Sequence, residues 1–120
     1  QLPISKRERK IVQIQETLTA FFTAENTRDW ETYKTFLHPE ITWKLYSAEA
    51  KTIHGTEEYL AYITKSYENT DVRFTCNFME ISADNTRVIA YLINDKGDRS
   101  LDIFDFKDNL IFREFEFLLD

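Results

Sequence analysis

The chain has 120 residues, 42% of them hydrophobic, and this length is typical of a single domain with one core. With 21 acidic residues against 15 basic ones, the net charge of −6 argues against nucleic-acid binding, which requires a clustered basic face. Two glycines and two prolines exclude a flexible linker and a glycine-rich phosphate loop, so we expect one domain over residues 1–120.

Three helices are predicted in the N-terminal half, and the first begins at Ser5. Ser5 and Glu8 have the spacing of a capping box, in which each side chain bonds the backbone of the other residue. A helix of about 20 residues then carries one apolar stripe at helical spacing. The stripe consists of Ile11, Ile14, Leu18, Phe21 and Phe22.

The second and third helices are shorter, and a capping pattern in the sequence predicts where each one begins. Asp29 is the predicted N-cap of a short helix that carries Trp30, Tyr33, Phe36 and Leu37 and ends before Pro39. Gly55 and Thr56 mark the start of the third helix, where Glu57 and Glu58 lie at its positive end. The apolar stripe of this helix is Tyr59, Tyr62, Ile63 and Tyr67.

Alternating or β-branched segments predict five strands. Residues 41–46 form the first strand, between the second and third helices, and 48–53 are left as an irregular segment. Turn residues then recur at 84–85, 95–98 and 107–109. They divide the C-terminal half into a predicted four-stranded antiparallel meander over 72–83, 86–94, 99–106 and 110–119.

Neither face of this meander is polar at regular alternate positions, as a face in contact with water should be. Ile89, Tyr91 and Ile93 oppose Val88, Ala90 and Leu92 along one strand, for example. The helices of so small a chain can cover one face, so we expect the other face to pack against a second copy of the chain.

Four local segments resemble the nuclear transport factor 2-like superfamily, and within it the SnoaL-like and ketosteroid isomerase-like group. They are Asp29-Trp30, FLHPEITW, HGTEEYLAYI and DIFDFKDNLI, in that order, and the resemblance extends from about Ser5 to Asp120. It implies an α+β, cone-shaped, cystatin-like fold in which three N-terminal helices pack on a curved, mainly antiparallel sheet. It also implies a pocket between the helices and the concave face, and a homodimer through the convex face.

The resemblance also predicts which residues line the pocket. Alignment of the last hairpin places Asp102 where ketosteroid isomerases keep a neutral acid, and apolar neighbours on a central strand should raise its pKa. The predicted catalytic residues are Asp102, assisted by Tyr91 or His54. The predicted ligand-binding residues are Phe21, Trp43, Leu45, Tyr59, Tyr62, Ile89, Ile93, Phe104, Phe112, Glu114, Glu116 and Leu118.

Departures from the enzymes of this group exclude one of their reactions and argue against two others. Phe21 stands where the isomerases have an oxyanion tyrosine, and Leu45 stands at their general base, so we reject steroid isomerisation. Limonene epoxide hydrolase-like enzymes have an arginine where Ser100 lies. A scytalone dehydratase-like site needs pocket histidines, and neither His38 nor His54 is well placed for that role.

Three functional hypotheses follow from the sequence. The first is a module that binds a small apolar or aromatic molecule in an aromatic pocket containing carboxylates. The second is a SnoaL-like lyase, isomerase or hydrolase with Asp102 as general acid or base. The third is a structural homodimerisation module whose own side chains fill the cavity. If Glu114 and Glu116 point inward beside Asp102, the acids could hold an amine or a sugar-like ligand; otherwise they are ordinary charges near a sheet edge.

No metal, cofactor or membrane partner is predicted from the remaining features. The single cysteine, Cys76, cannot form an internal disulfide, and two histidines offer no repeated ligand spacing. No apolar run approaches the roughly 18 residues that span a membrane, and no signal peptide is recognisable. We therefore expect a cytoplasmic location, although the start at Gln1 leaves a removed export signal open.

Overall fold

The computed structural model describes residues 3–120, which form three α-helices and one six-stranded sheet. Two helices come before the first strand in the chain, and the third lies between the second and third strands. The strand order across the sheet is β2-β1-β6-β5-β4-β3. The helices are α1 (Lys6–Thr27), α2 (Trp30–Tyr33) and α3 (Thr56–Ser66). The strands are β1 (Leu37–Tyr46), β2 (Ala50–His54), β3 (Phe74–Ile81), β4 (Arg87–Asn94), β5 (Arg99–Lys107) and β6 (Leu110–Leu118). The predicted α+β class, with helices packed on a curved and mainly antiparallel sheet, is confirmed.

Helix α1 begins and ends where its sequence requires. The Glu8 amide donates to Ser5 Oγ at 3.1 Å and the Ser5 amide donates to Glu8 Oε1 at 3.4 Å, which confirms the capping box. The helix ends at Arg28, whose φ of 59° lies in the left-handed region common at helix C-termini. The buried face of the helix comprises Ile14, Leu18, Phe21, Phe22 and Ala24.

The second helix is a single α-turn that continues as a 3-10 turn over Lys34–Phe36. Asp29 caps it, as predicted, by accepting from the Thr32 amide. Leu37 was predicted to be helical and instead begins β1, which runs through Pro39. At α3, Gly55 has a φ of 86°, which favours glycine at that position.

The predicted meander is confirmed, because β3, β4, β5 and β6 pair in that order and all antiparallel. Strand β1 joins the sheet by a parallel pairing with β6, in which Trp43 lies opposite Glu114. The segment left as irregular contains an additional strand, β2, which pairs antiparallel with β1. Only Ile53 of this edge strand is buried, so its sequence carries little of the alternation that predicts a strand.

Cross-strand pairing decides which side chains share a face, and it corrects the prediction for β4. Ala90 lies opposite Asp102 and Val88 lies opposite Phe104, so the inward-facing residues of β4 are Val88, Ala90 and Leu92. The inward orientation predicted for Ile89, Tyr91 and Ile93 is therefore wrong. These three residues lie on the outer face and are partly exposed.

A register shift between β5 and β6 changes the predicted orientation of one further side chain. Asp105 pairs with Arg113, but the next residue, Phe106, pairs with Ile111, so Phe112 is the extra residue of a bulge. Ile111 is fully buried, whereas Phe112 packs edge-on against His38 at 4.9 Å. The predicted inward orientation of Phe112 is therefore wrong.

The core lies between the helices and the inner face of the sheet and is rich in aromatic rings. Phe21 of α1 stacks on Tyr33 with ring centroids 4.2 Å apart and meets Phe104 of β5 edge-on at 6.2 Å. These three rings, together with Leu18 and Ile41, have almost no exposed surface. Within residues 3–120, none of the helices has the length and hydropathy required to cross a membrane.

Candidate functional site

A cavity of about 150 Å³ lies between the helices and the inner face of the sheet. Its aromatic walls come from all three helices and from β1, β3 and β5, and its mouth is formed by loop and strand-end residues such as Val72, Arg73 and Arg99. The residues that line it include Phe21, Glu25, Tyr33, Trp43, Tyr59, Tyr67, Val72, Arg73, Asp98, Arg99, Ser100, Asp102, Phe104, Glu114, Glu116 and Leu118.

Three carboxyl groups meet on one wall of this cavity. Asp102 of β5 lies directly opposite Glu116 of β6, and Glu114 is two residues earlier on the same strand and the same face. Carboxyl oxygens of the three residues all lie within 4.8 Å of one another. Asp102 and Glu114 are each only 4% exposed. We call Asp102, Glu114 and Glu116 the carboxyl cluster.

Burial is the largest cause that raises the pKa of each carboxyl in the cluster well above its usual range. The charge of a neighbouring acid raises it further, with Glu114 acting on Asp102, Glu116 on Glu114, and Asp102 on Glu116. A hydrogen bond from Ser100 Oγ to Asp102 Oδ1, at 2.8 Å, lowers the pKa of Asp102 in part. The group of three therefore retains protons at a pH where exposed carboxyls have lost theirs.

A chain of hydroxyl groups connects the carboxyl cluster to a fourth acid, Glu25 of α1. Tyr59 of α3 donates to Glu114 Oε1 at 2.5 Å, and the Tyr59 and Tyr33 hydroxyls are 3.2 Å apart. Tyr33 donates to Glu25 Oε1 at 2.8 Å, and Tyr67 donates to the other oxygen of Glu25. Burial raises the pKa of Glu25, and these two tyrosines and the charge of Arg28 lower it in part.

The proton count of this chain agrees with one protonated acid at one of its ends. Each tyrosine hydroxyl has one hydrogen to donate, so two ionised acids at the ends leave no hydrogen between Tyr33 and Tyr59. A proton on Glu114 would reverse the Tyr59–Glu114 bond, and a proton on Glu25 would reverse the Tyr33–Glu25 bond; either proton supplies the missing hydrogen. Burial raises the pKa of both acids, so the chain retains such a proton more readily than exposed carboxyls do.

One buried donor at the cavity has no acceptor. The Trp43 side chain is 3% exposed, and its indole N–H makes no hydrogen bond with any residue in 3–120. Burial raises the pKa of Glu116, and a weak approach of the Trp43 N–H, whose geometry falls short of a hydrogen bond, lowers it in part. A buried donor without an acceptor costs about 1–3 kcal/mol, so this N–H favours a ligand that can accept a hydrogen bond.

The structure brings eight of the predicted site residues to the cavity. They are Phe21, Trp43, Tyr59, Phe104, Asp102, Glu114, Glu116 and Leu118. Leu45 shares the inner face with Glu116 but does not line the cavity, and Tyr62 packs behind Trp43 with ring centroids 5.3 Å apart.

The predicted catalytic arrangement of Asp102, Tyr91 and His54 is not assembled. Tyr91 lies on the outer face of β4, where its hydroxyl accepts from Arg99 at 3.5 Å. His54 is exposed at the end of edge strand β2, where its Nδ1 lies 3.0 Å from Thr42 Oγ1. The expectation that either residue assists Asp102 is therefore wrong, because neither side chain faces the cavity.

Sequence reasoning missed eight polar residues that line the cavity: Glu25, Tyr33, Tyr67, Ser100, Arg73, Asn94, Asp98 and Arg99. Glu25 could have been found, because it continues the stripe of Leu18, Phe21 and Phe22 at helical spacing. Ser100 could also have been found, since it lies two residues before Asp102 on the same strand and so shares its face. Tyr33 and Tyr67 have no such signal, because their hydroxyls meet Glu25 only through tertiary packing.

Comparison with known proteins identifies the family. The family model for the SnoaL-like domain matches residues 18–114, and the chain therefore belongs to the SnoaL-like family. No curated protein sequence matches it.

Solved structures share the fold at low sequence identity. Bal32a, from a soil-derived mobile gene cassette, has a TM-score of 0.81 and 21% identity over 92% of each chain. A SnoaL-like protein of unknown function from Burkholderia thailandensis has a TM-score of 0.79 and 16% identity, over 99% of this chain and 100% of its own. A Mycobacterium tuberculosis protein in complex with estradiol-17beta-hemisuccinate has a TM-score of 0.72 and 13% identity, over 87% of this chain and 92% of its own.

Proposed function

We propose that this SnoaL-like domain binds a small molecule of about one aromatic ring in the cavity that contains the carboxyl cluster. The observation that carries the proposal is the buried N–H of Trp43, which lacks an acceptor at a cavity that aromatic side chains have not filled. A cavity of this volume, about 150 Å³, is large enough for benzene. The estradiol-17beta-hemisuccinate complex of the Mycobacterium tuberculosis relative supports small-molecule binding within this fold.

The cavity argues against a purely structural domain, and the positions of Tyr91 and His54 outside it argue against the catalytic arrangement predicted from the sequence. A lyase, isomerase or hydrolase would require Asp102 to exchange a proton with a substrate, and its raised pKa suits that role. Tyr59 and Glu114, rather than Tyr91 and His54, are the groups near enough to assist. We keep catalysis as a second candidate on the strength of this neutral acid in a cavity.

Filling the cavity tests the binding proposal. Val72 is partly exposed at the mouth, so Val72→Trp can place an indole in the cavity at little cost to folding. Amide NMR spectra of the intact protein should shift around the cavity on addition of phenol or benzyl alcohol, and Val72→Trp should abolish these shifts. The matched control is Val12→Trp on the exposed side of α1, which should bind as the parent does. Equal binding by both variants contradicts the proposal.

We further propose that the outer face of the sheet forms a homodimer with a second copy of the chain. The apolar side chains on this face are only partly buried: Tyr46, Ile89, Tyr91, Ile93, Leu101, Ile103, Phe115 and Phe117. Ile103 is at their centre, because it pairs with Ile89 on one side and with Phe115 on the other. Such a contiguous apolar face favours self-association over exposure to water.

Sedimentation velocity over a range of concentrations tests the dimer. We expect the parent protein to sediment as a dimer and Ile103→Lys to sediment as a monomer that retains its circular dichroism spectrum. The control Val12→Lys adds the same charge to an exposed apolar position on α1 and should remain a dimer. A parent chain that stays monomeric at high concentration contradicts the proposal.

A further inference from the structure

The carboxyl cluster has no buried cation to balance it. The ion pairs among residues 3–120 join Lys34 to Glu31, Arg87 and Arg113 to Asp105, and Arg99 to Asp120, and none includes the cluster. Five acids line the cavity, namely Glu25, Asp98, Asp102, Glu114 and Glu116, against two arginines. Both of those arginines, Arg73 and Arg99, are exposed at the mouth.

We infer that the ligand of this cavity is an organic ammonium ion on a single-ring scaffold that also carries a hydrogen-bond acceptor. This inference rests on the proposed function and names the chemical class of the ligand. The ammonium would donate to the carboxyl cluster, and the acceptor would meet the otherwise unpartnered N–H of Trp43. The two groups lie on adjacent strands, since Trp43 is directly opposite Glu114.

The aromatic walls suit an ammonium ion. The ring faces of tryptophan and tyrosine attract cations, and the attraction strengthens where water is excluded. Trp43 and Tyr59 lie against each other beside the cluster, with ring centroids 4.6 Å apart, and both are almost fully buried. A primary ammonium also has three hydrogens to donate, which matches the three carboxyl groups of the cluster.

A divalent metal ion fits the same wall less well. Calcium takes six to eight oxygen ligands, and magnesium keeps several of its waters. In the cluster, the Glu114 carboxyl is already bonded to Tyr59 and the Asp102 carboxyl to Ser100, so part of the oxygen set is occupied. Apart from the cluster itself and the tyrosine hydroxyls, the other side-chain oxygens that line the cavity belong to Ser100, Asn94, Asp98 and Glu25, and both Glu25 oxygens already accept from tyrosines. An ammonium ion needs no such complete coordination shell.

Three compounds that share a phenyl ring and a hydroxyl, but differ in the charge of their third group, test the inference. Phenylethanolamine carries a hydroxyl and an aminomethyl group that is protonated to the ammonium. Phenylethylene glycol has a hydroxyl in place of the ammonium, and mandelate has a carboxylate in place of the whole aminomethyl group. Titration of the intact protein, followed by calorimetry and by amide NMR, should show phenylethanolamine binding at least about tenfold more tightly than the glycol. Mandelate should bind most weakly, because its charge repels the cluster.

A matched pair of variants tests whether the preference for the ammonium compound arises from the carboxyl cluster. Glu116→Gln should lower the affinity for phenylethanolamine by about tenfold or more, because a charge-assisted hydrogen bond becomes a neutral one. The affinity for the glycol should stay within about twofold of the parent value. Glu80→Gln, at an exposed carboxylate of β3, should change neither affinity. Asp102→Asn provides a second test of the same kind if Glu116→Gln does not fold.

The outcomes separate this inference from the proposed function. If the glycol binds in the cavity as tightly as the amine, the ammonium assignment is overturned and small-molecule binding stands. If none of the three compounds shifts the amides around the cavity, both are overturned. If calcium or manganese displaces phenylethanolamine competitively and binds more tightly, the cluster is a metal site and the inference is wrong.

Discussion

Replacing Asp102 with asparagine should make the protein more stable at about pH 8 and leave its stability at about pH 4.5 nearly unchanged. The folded-state pKa of Asp102 is raised, so the folded protein holds this proton more tightly than the unfolded chain does. The resulting stability is fully present below the unfolded pKa and is lost as the pH rises through the folded pKa. An amide has the shape and neutral charge of the protonated acid, and its oxygen can still accept from Ser100 Oγ.

The size of the effect follows from the spacing of the carboxyl cluster. Two like charges within 4.8 Å repel by about 3.5 kcal/mol at an effective dielectric constant of about 20. Asp102 takes part in two of the three such pairs, so its neutralisation relieves about 7 kcal/mol when all three acids are ionised. Proton uptake by Glu114 and Glu116, and the nearby Glu25, already relieves part of this repulsion. We therefore expect a gain of roughly 1–3 kcal/mol in the free energy of unfolding at about pH 8.

Urea unfolding followed by circular dichroism at both pH values measures this gain. The parent protein should itself lose stability as the pH rises between the two values, and Asp102→Asn should lose less. Glu80→Gln is the control, since it removes an exposed carboxylate from β3 and should follow the parent curve. An Asp102→Asn variant that is equally destabilised at both pH values would contradict this expectation, because the carboxyl would then contribute only structural hydrogen bonds.

Three further substitutions test other parts of the structure. Leu18→Ala should reduce the free energy of unfolding by about 2–5 kcal/mol, because Leu18 is fully buried, whereas Val12→Ala at an exposed position of α1 should change it little; urea unfolding compares the two. Ser5→Ala should lower the free energy of unfolding by about 0.5–2 kcal/mol, because the capping box is lost. Unchanged phenol binding by this variant would show that the cavity is intact. Tyr59→Phe should raise the pKa of Glu114, because the Tyr59 hydroxyl lowers it, and a carboxyl NMR titration in which the pKa falls would contradict the assigned hydrogen bond.

The fold could be predicted largely because its local signals are strong. The capping box at Ser5, the N-cap at Asp29 and the equally spaced turns each constrain the backbone within a few residues, and the structure contains all of them. Strand β2 could not be predicted by periodicity, because an edge strand with one buried residue, Ile53, has no apolar alternation.

The candidate site could be predicted only in part, because it depends on strand register. Asp102, Glu114 and Glu116 share a face through alternation within β5 and β6 and through the pairing of Asp102 with Glu116. On β4 both faces are apolar, so sequence alone could not decide whether Tyr91 or Leu92 faces the cavity. The bulge at Phe112 and the contact of Tyr33 with Glu25 arise from packing between distant segments, which no local pattern records.

A carbon-13 NMR titration of the side-chain carboxyls shows whether the three acids of the carboxyl cluster hold protons and interact. With Asp102→Asn, Glu114→Gln and Glu116→Gln providing the assignments, we expect at least one of the three carboxyl carbons to retain the chemical shift of a protonated acid at about pH 7. We also expect removal of one acid to lower the titration points of the remaining two, because one like-charge neighbour is lost. Three carboxyls that all titrate near pH 4, as exposed acids do, and that are unaffected by one another's removal would contradict this arrangement.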